Sequence, residues 1–221
     1  MTPLVTLLDP RPRRRASPYT FYLPSDAALA HLAPGDLVKL IFEPTAPDAE
    51  CGAARMWVEL TQRDQDRLTG RLDNKPFDLP DLELGDRSDF ARHHVIDIGW
   101  KDPTAAPEDP DLTEQWLARC LVDRAVVEGR APVGFLFREP PETPEGSPYP
   151  DTGWCLRPHE KDIGAEEYDA EDILYIAIGA LLNDDASFVH LLEAPPGSAF
   201  ARQDDGQFVA VPFDPEEAEH G

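Results

Sequence analysis

Cys155 and His159, four residues apart, are the side chains in this sequence best suited to covalent chemistry: a thiolate attacks and a nearby imidazole takes its proton. On that alternative the protein is a thiol-dependent enzyme or a small-ligand binder. No third group that would orient the imidazole is apparent, however, and Cys155 follows Trp154 in a stretch that reads as a strand, where cysteine is ordinarily a small buried residue. His93 and His94 are adjacent. In a strand such neighbours point to opposite faces and cannot chelate one metal together. The three cysteines, Cys51, Cys120 and Cys155, are odd in number and lack CxxC spacing, so they offer neither a disulfide framework nor a tetrahedral zinc site. The acidic run Asp162, Glu166, Glu167, Asp169, Glu171 and Asp172 lacks the alternating oxygen ligands and glycine turn of a calcium loop. No metal and no cofactor is expected, and catalysis is the lesser reading.

Charge is the stronger signal. Among 221 residues, 43 are acidic and 20 are lysine or arginine, a formal net charge of -23. A field of that sign repels nucleic-acid phosphate and anionic lipid and attracts basic partners. The longest apolar stretch, Ile173 to Leu182, is far short of the roughly 20 residues of a membrane helix. The basic cluster Arg11 to Arg15 follows the apolar run Leu4 to Leu8, the reverse of a secretory signal. The acidity either secures solubility alone or steers a basic protein partner, and the expectation is a cytoplasmic protein with no role at nucleic acid or membrane.

The elements that would position these groups fall into four segments. Residues 1–18 read as a flexible arm or edge strand. Residues 19–102 read as a small β-rich domain: a short helix capped by Ser25, a strand from Leu37 to Glu43, alternation at Met56, Val58 and Leu60, a return strand through Leu68 and Leu72, and a last strand from His94 to Trp100. Leu84-Gly85-Asp86 repeats the turn grammar of Pro34-Gly35-Asp36, as though two strands were entered by the same turn. Short strands with tight turns fit a small antiparallel, SH3-like barrel or bent sheet. The proline-rich stretch from Lys101 to Asp111 reads as the domain boundary.

Residues 112–213 read as an α+β domain, an antiparallel sheet packed by one main helix. Arg119 to Val127 is expected as a strand, with its hairpin partner through Val133, Phe135 and Phe137. Pro140 to Pro150 is a loop, and Thr152 to Leu156 resumes the sheet with a bulge at Gly153. An amphipathic helix is expected from about Glu171, initiated by Asp169 and Asp172, with Ile173, Leu174, Ala177, Ile178 and Leu181 as its stripe. Pro195-Pro196 permits a cis bond. Ser198 to Arg202 and Gln207 to Val211 form a hairpin about Asp204-Asp205-Gly206. Residues 214–221 read as a disordered acidic tail.

Several short motifs in this second half carry a resemblance: Val-Gly-Phe-Leu-Phe-Arg-Glu-Pro at 133 to 140, Asp-Thr-Gly-Trp at 151 to 154, the acidic run before an apolar segment, Pro-Gly-Ser-Ala-Phe-Ala-Arg from 196, and Gly-Gln-Phe-Val from 206. Together, over roughly Cys120 to Phe213, they resemble the DUF2185 family, also called the immunity protein Imm33 domain. The first half is only loosely similar to segments that precede this domain in bacterial proteins. The resemblance implies a bacterial cytoplasmic protein that binds and neutralises a toxin, without a catalytic residue set to carry over. Helix initiation accounts for Asp169, Glu171 and Asp172, so the candidate contacts are Asp162, Glu166 and Glu167 with the aromatics Tyr149 and Tyr168. A housekeeping adaptor with no toxin partner is the remaining alternative.

Overall fold

The computed structural model describes residues 5–45, 52–76, 79, 82–169 and 172–213. Cys51, Glu171, the side chain of Asp169 and the expected acidic tail at 214–221 lie outside the described residues. The chain divides into two compact units, Met1–Leu112 and Thr113–Gly221.

The first unit is a nearly closed, barrel-like antiparallel sheet. Strands β1 (Val5–Leu7), β2 (Leu37–Pro44), β3 (Ala54–Asp64), β4 (Arg67–Leu72) and β5 (Arg87–Ala91) follow one another, and β6 (Asp97–Gly99) shares the outer edge of β2 with β1. Alternation along the strands sends Val38, Leu40, Phe42, Met56, Val58, Leu60, Leu68 and Leu72 into one core, where Leu29 and Leu32 join them. Full burial of each such side chain contributes about 1.5–3 kcal/mol. Leu29 comes from helix α2 (Asp26–His31), whose N-cap Ser25 hydroxyl accepts from the Ala28 amide at 3.1 Å.

The two similar turns are structural copies. The Gly35 amide donates to the Leu60 carbonyl at 2.7 Å and the Leu60 amide returns to the Asp36 carbonyl at 2.8 Å; Gly85, Leu72 and Asp86 repeat this at 2.8 and 2.9 Å. In each, the aspartate carboxylate also accepts from the amide three residues before it, Ala33 or Glu83, at 2.8 Å.

Three expectations change in this unit. Residues 5–16, read as an arm or edge strand, are an edge strand followed by helix α1 (Arg11–Ala16). His93 and His94 lie in a 3-10 turn rather than a strand, so their ring centroids come within 4.2 Å, tilted by 36°, instead of facing apart. The last strand is correspondingly only Asp97–Gly99. The proline-rich segment is also fastened within the unit: Asp109 accepts from the Tyr22 hydroxyl at 2.7 Å and the Ser25 amide at 3.2 Å.

The second unit holds β7 (Arg119–Asp123), α3 (Arg124–Val127), β8 (Phe135–Arg138), β9 (Asp151–Arg157), α4 (Glu160–Ile163), α5 (Ala165–Asp169), β10 (Ile173–Ala177), α6 (Ile178–Asp184), β11 (Ala199–Arg202) and β12 (Phe208–Val211). Its sheet order is β10-β7-β9-β8-β11-β12. The sheet is mixed, not antiparallel throughout, because β7 and β9 run parallel. β8 therefore pairs with β9 and β11, and not with β7 as a hairpin partner. Asp123 ends β7 early: its carboxylate accepts from the Ala125 amide at 2.8 Å and starts α3, where the sequence pattern suggested continuous strand.

The expected long helix from Glu171 is instead an edge strand and a seven-residue helix. Ile173, Leu174, Ala177, Ile178 and Leu181 satisfy a helical period, but β10 pairs fully with β7, and only Ile178, Leu181 and Leu182 face inward from a helix. One sheet face buries Cys120, Val122, Leu136, Trp154 and Leu156. On the other, Phe137, Cys155 and Ala199 are covered by Phe135, Val211 and Phe213, with the Phe137 and Phe213 rings stacked at 4.8 Å. Among the described residues every peptide bond is trans, the Pro195–Pro196 bond included.

Candidate functional site

The charge of the chain is unevenly placed. Residues 113–221 contain 23 acidic and seven basic side chains, against 20 and 13 in residues 1–112. Each of those seven cations is held inside the second unit. Arg124 meets Asp172 at 2.6 Å, Arg130 meets both Glu128 and Glu167, Lys161 meets Asp204 at 3.1 Å, and Arg202 meets Asp185 at 2.7 Å. Arg138 donates to the Thr152 and Ala194 carbonyls at 2.9 and 2.6 Å. Arg119 lies over the Tyr149 ring at 4.8 Å, and Arg157 over the Tyr168 ring at 4.0 Å. Exposed pairs of this kind contribute only about 0–1 kcal/mol each. Their larger effect is on the surface field, which the remaining carboxylates dominate.

The five candidate contact residues divide into two groups. Asp162 on α4 and Glu166 on α5 are exposed, Glu167 is tied to Arg130, and Tyr168 is half-buried beneath Arg157. Tyr149 is also half-buried, against Arg119. Arg119 stands opposite Asp151 where β7 and β9 begin, whereas Arg157 ends β9. The length of β9, roughly 20 Å at 3.3 Å per residue, therefore separates the Tyr149 end from the Tyr168 end. Loop packing by an arginine accounts for both tyrosines.

A different pair of side chains is presented outward. Leu121 on β7 and Tyr175 on β10 are directly opposite one another and are 39% and 36% exposed. Next to them β9, the other neighbour of β7, carries a bulge. Between Arg119 and Leu121 β7 advances two residues while β9 advances four, from Asp151 to Cys155. Gly153 sits in that bulge with φ +73, and the Glu139 amide donates to its carbonyl at 2.8 Å. The approach is so close that a Cβ at 153 would lie 2.1 Å from the Glu139 carbonyl oxygen.

The loop leaving β8 thus crosses over the bulge and walls a cleft of about 330 Å³. Leu121, Tyr175 and Pro140 supply apolar lining, and Asp151, Glu139 and Glu142 the carboxylates. Partial desolvation, then the hydrogen bond to Asp151, pushes the Tyr175 hydroxyl up to about 12, so it stays a neutral donor at physiological pH. The Gly153 bulge was legible in the sequence. Tyr175 was not, because the segment containing it fitted a helical stripe.

Cys155 and His159 are not brought together as a nucleophile and base. Cys155 is packed with Phe137 and Ala199, while His159 Nε2 lies 2.8 Å from the Arg202 carbonyl. Burial also pushes the Cys120 thiol upward, away from thiolate chemistry. Among the described residues, no three His, Cys, Asp or Glu side chains group as a metal site requires, and no helix is long and apolar enough to cross a membrane.

No curated protein and no solved structure matches the chain. The region that contains the mixed sheet, the cleft and the tied cations does match a family model, somewhat under half of the chain. Residues 120–212 match the Immunity protein Imm33 domain.

Proposed function

We propose that this is a non-catalytic immunity-type protein that binds and neutralises a basic bacterial toxin in the cytoplasm, using the carboxylates of its second unit. The observation that carries the reading is charge balance: residues 113–221 hold 23 acidic side chains against seven basic ones, and each of the seven is paired, stacked or bonded to a carbonyl within the unit. The field of that excess accelerates encounter with a basic protein more than it deepens affinity, and it suppresses acidic partners. An inhibitor that must reach its toxin before damage begins benefits from that kinetic form of selectivity. Asp162 and Glu166, exposed at one end of the sheet, contribute to steering, while Glu167, Tyr168 and Tyr149 act through the pairs and stacks that shape their surroundings.

The deciding experiment is co-purification from the native cell followed by growth rescue against the product of each neighbouring gene. A basic protein that co-purifies and whose toxicity is suppressed by this chain is the expected result. Absence of any partner, with no rescue, would sink the proposal. A housekeeping adaptor would instead co-purify with a non-toxic protein.

A further inference from the structure

The cleft over the Gly153 bulge combines two kinds of lining. Leu121 and Tyr175 expose apolar and aromatic surface side by side, and Asp151, Glu139 and Glu142 supply carboxylates around it. An acidic peptide would be repelled there, and a purely apolar side chain would leave the charge of Glu139 and Glu142 uncompensated; Asp151 already accepts from the Gly153 amide at 2.5 Å and from the Tyr175 hydroxyl. We infer that this cleft is the anchor pocket for an arginine or lysine side chain on a basic protein partner, a step that rests on the function proposed above. The aliphatic stem of such a side chain covers Leu121, its cation lies against the Tyr175 ring, and its head group reaches the carboxylates.

Two features fit the pocket for that guest. The loop wall is pinned to the sheet by the bond between Glu139 and Gly153, so the cleft exists before a partner arrives. Arg119, the cation opposite Asp151 in the strand register, has its guanidinium 4.8 Å from the Tyr149 ring centroid. That stack gives Arg119 an aromatic partner outside the cleft lining. The groove beside α3 is a poorer candidate because Arg130 itself lines it.

The test uses the full chain labelled with nitrogen-15 and titrated with a hexapeptide of alternating arginine and glycine, with a norleucine-for-arginine peptide as control. Amide shifts centred on Leu121, Gly153 and Tyr175 are expected for the arginine peptide alone. Tyr175→Ser should weaken binding at least tenfold, Tyr175→Phe should preserve it, and the doubly neutralised Asp162→Asn/Glu166→Gln chain should lose no more than about twofold. Binding with shifts centred on α4 and α5, or unchanged by Tyr175→Ser, overturns the pocket and leaves the basic-partner reading standing. If the unsubstituted chain does not bind the peptide, the pocket is likewise overturned. Growth rescue by the unsubstituted chain then decides the broader reading on its own.

Discussion

The two units solve the problem of a polar surface differently. In the first, 13 cations are interspersed with 20 carboxylates, and strands follow one another in an antiparallel barrel whose core is set by simple alternation. In the second, only seven cations stand against 23 carboxylates in sequence, and the sheet contains a parallel pair with a two-residue bulge. The first arrangement builds a scaffold with a mixed-sign exterior. The second concentrates one sign of charge and opens a cleft, at the cost of internal charges that must be satisfied where they lie.

The largest expected effect that separates the units concerns their buried aspartates. Asp123 faces Arg157 across 3.8 Å, with side chains only 4% and 7% exposed, and Asp123 Oδ2 accepts no hydrogen bond from the described residues. Asp123→Ala breaks a buried ion pair with Arg157 and removes the cap of α3, so a loss of about 3–5 kcal/mol is expected in urea denaturation. Asp36, buried in the first unit, accepts instead from the Ala33 and Lys101 amides at 2.8 and 3.0 Å. Asp36→Ala should cost about 1–2 kcal/mol. Equal losses in the two variants would erase the distinction.

A second test acts on the bulge. In Gly153→Ala the new methyl meets the Glu139 carbonyl while the backbone remains at positive φ. The conformation alone costs about 1–3 kcal/mol, and the loop wall must shift as well. Hydrogen exchange should quicken at Cys155 and Leu121 while Val58 and Leu40 in the barrel stay unchanged. Uniform protection across both units would show that the bulge is not a local constraint.

The smallest effects are acid windows. Burial, then the charge of His93, lowers the His94 pKa below its ordinary value of 6.5. The unfolded chain therefore takes up that proton first, and stability in the first unit falls as pH drops from about 6.5 towards the lower folded value. Burial would raise the Asp185 carboxyl in the second unit, but bonds from Ser187 and the nearby Arg202 outweigh it and hold the group below its usual range. Its contribution is present above pH ~4 and is lost as pH falls through the folded value. His94→Gln should flatten the denaturation midpoint in the first window and Asp185→Asn in the second. A single window affected by both variants would contradict the assignment.

How much of this was legible in the sequence depends on how local the cause was. The twin turns at Gly35 and Gly85, the hairpin about Asp204-Asp205-Gly206 and the Gly153 bulge follow from residues whose backbone preferences act over a few positions. The strand at Ile173–Ala177 was hidden because its apolar residues also suit a helix, and its pairing partner Arg119–Asp123 lies some fifty residues earlier. The parallel pairing of β7 with β9 is a register between distant segments with no local signature. The cleft was illegible for the same reason, since it needs β10, the bulge and the loop from Glu139 together. Asp162 and Glu166 were readable as exposed acids, but the stacks of Arg119 on Tyr149 and Arg157 on Tyr168 were not.

The charge imbalance of the second unit also makes the folded domain a loaded spring. An excess of acidic over basic side chains of this size, 23 to seven, makes the compact state carry its own repulsion, which loosening of the fold relieves. On the function proposed above, a basic partner would discharge that repulsion as it docks, so that capture and hardening of the fold would become one event. The unoccupied protein would then be the form most readily unfolded and cleared, and the occupied form the durable one. Abundance in the cell would follow the amount of partner to be restrained.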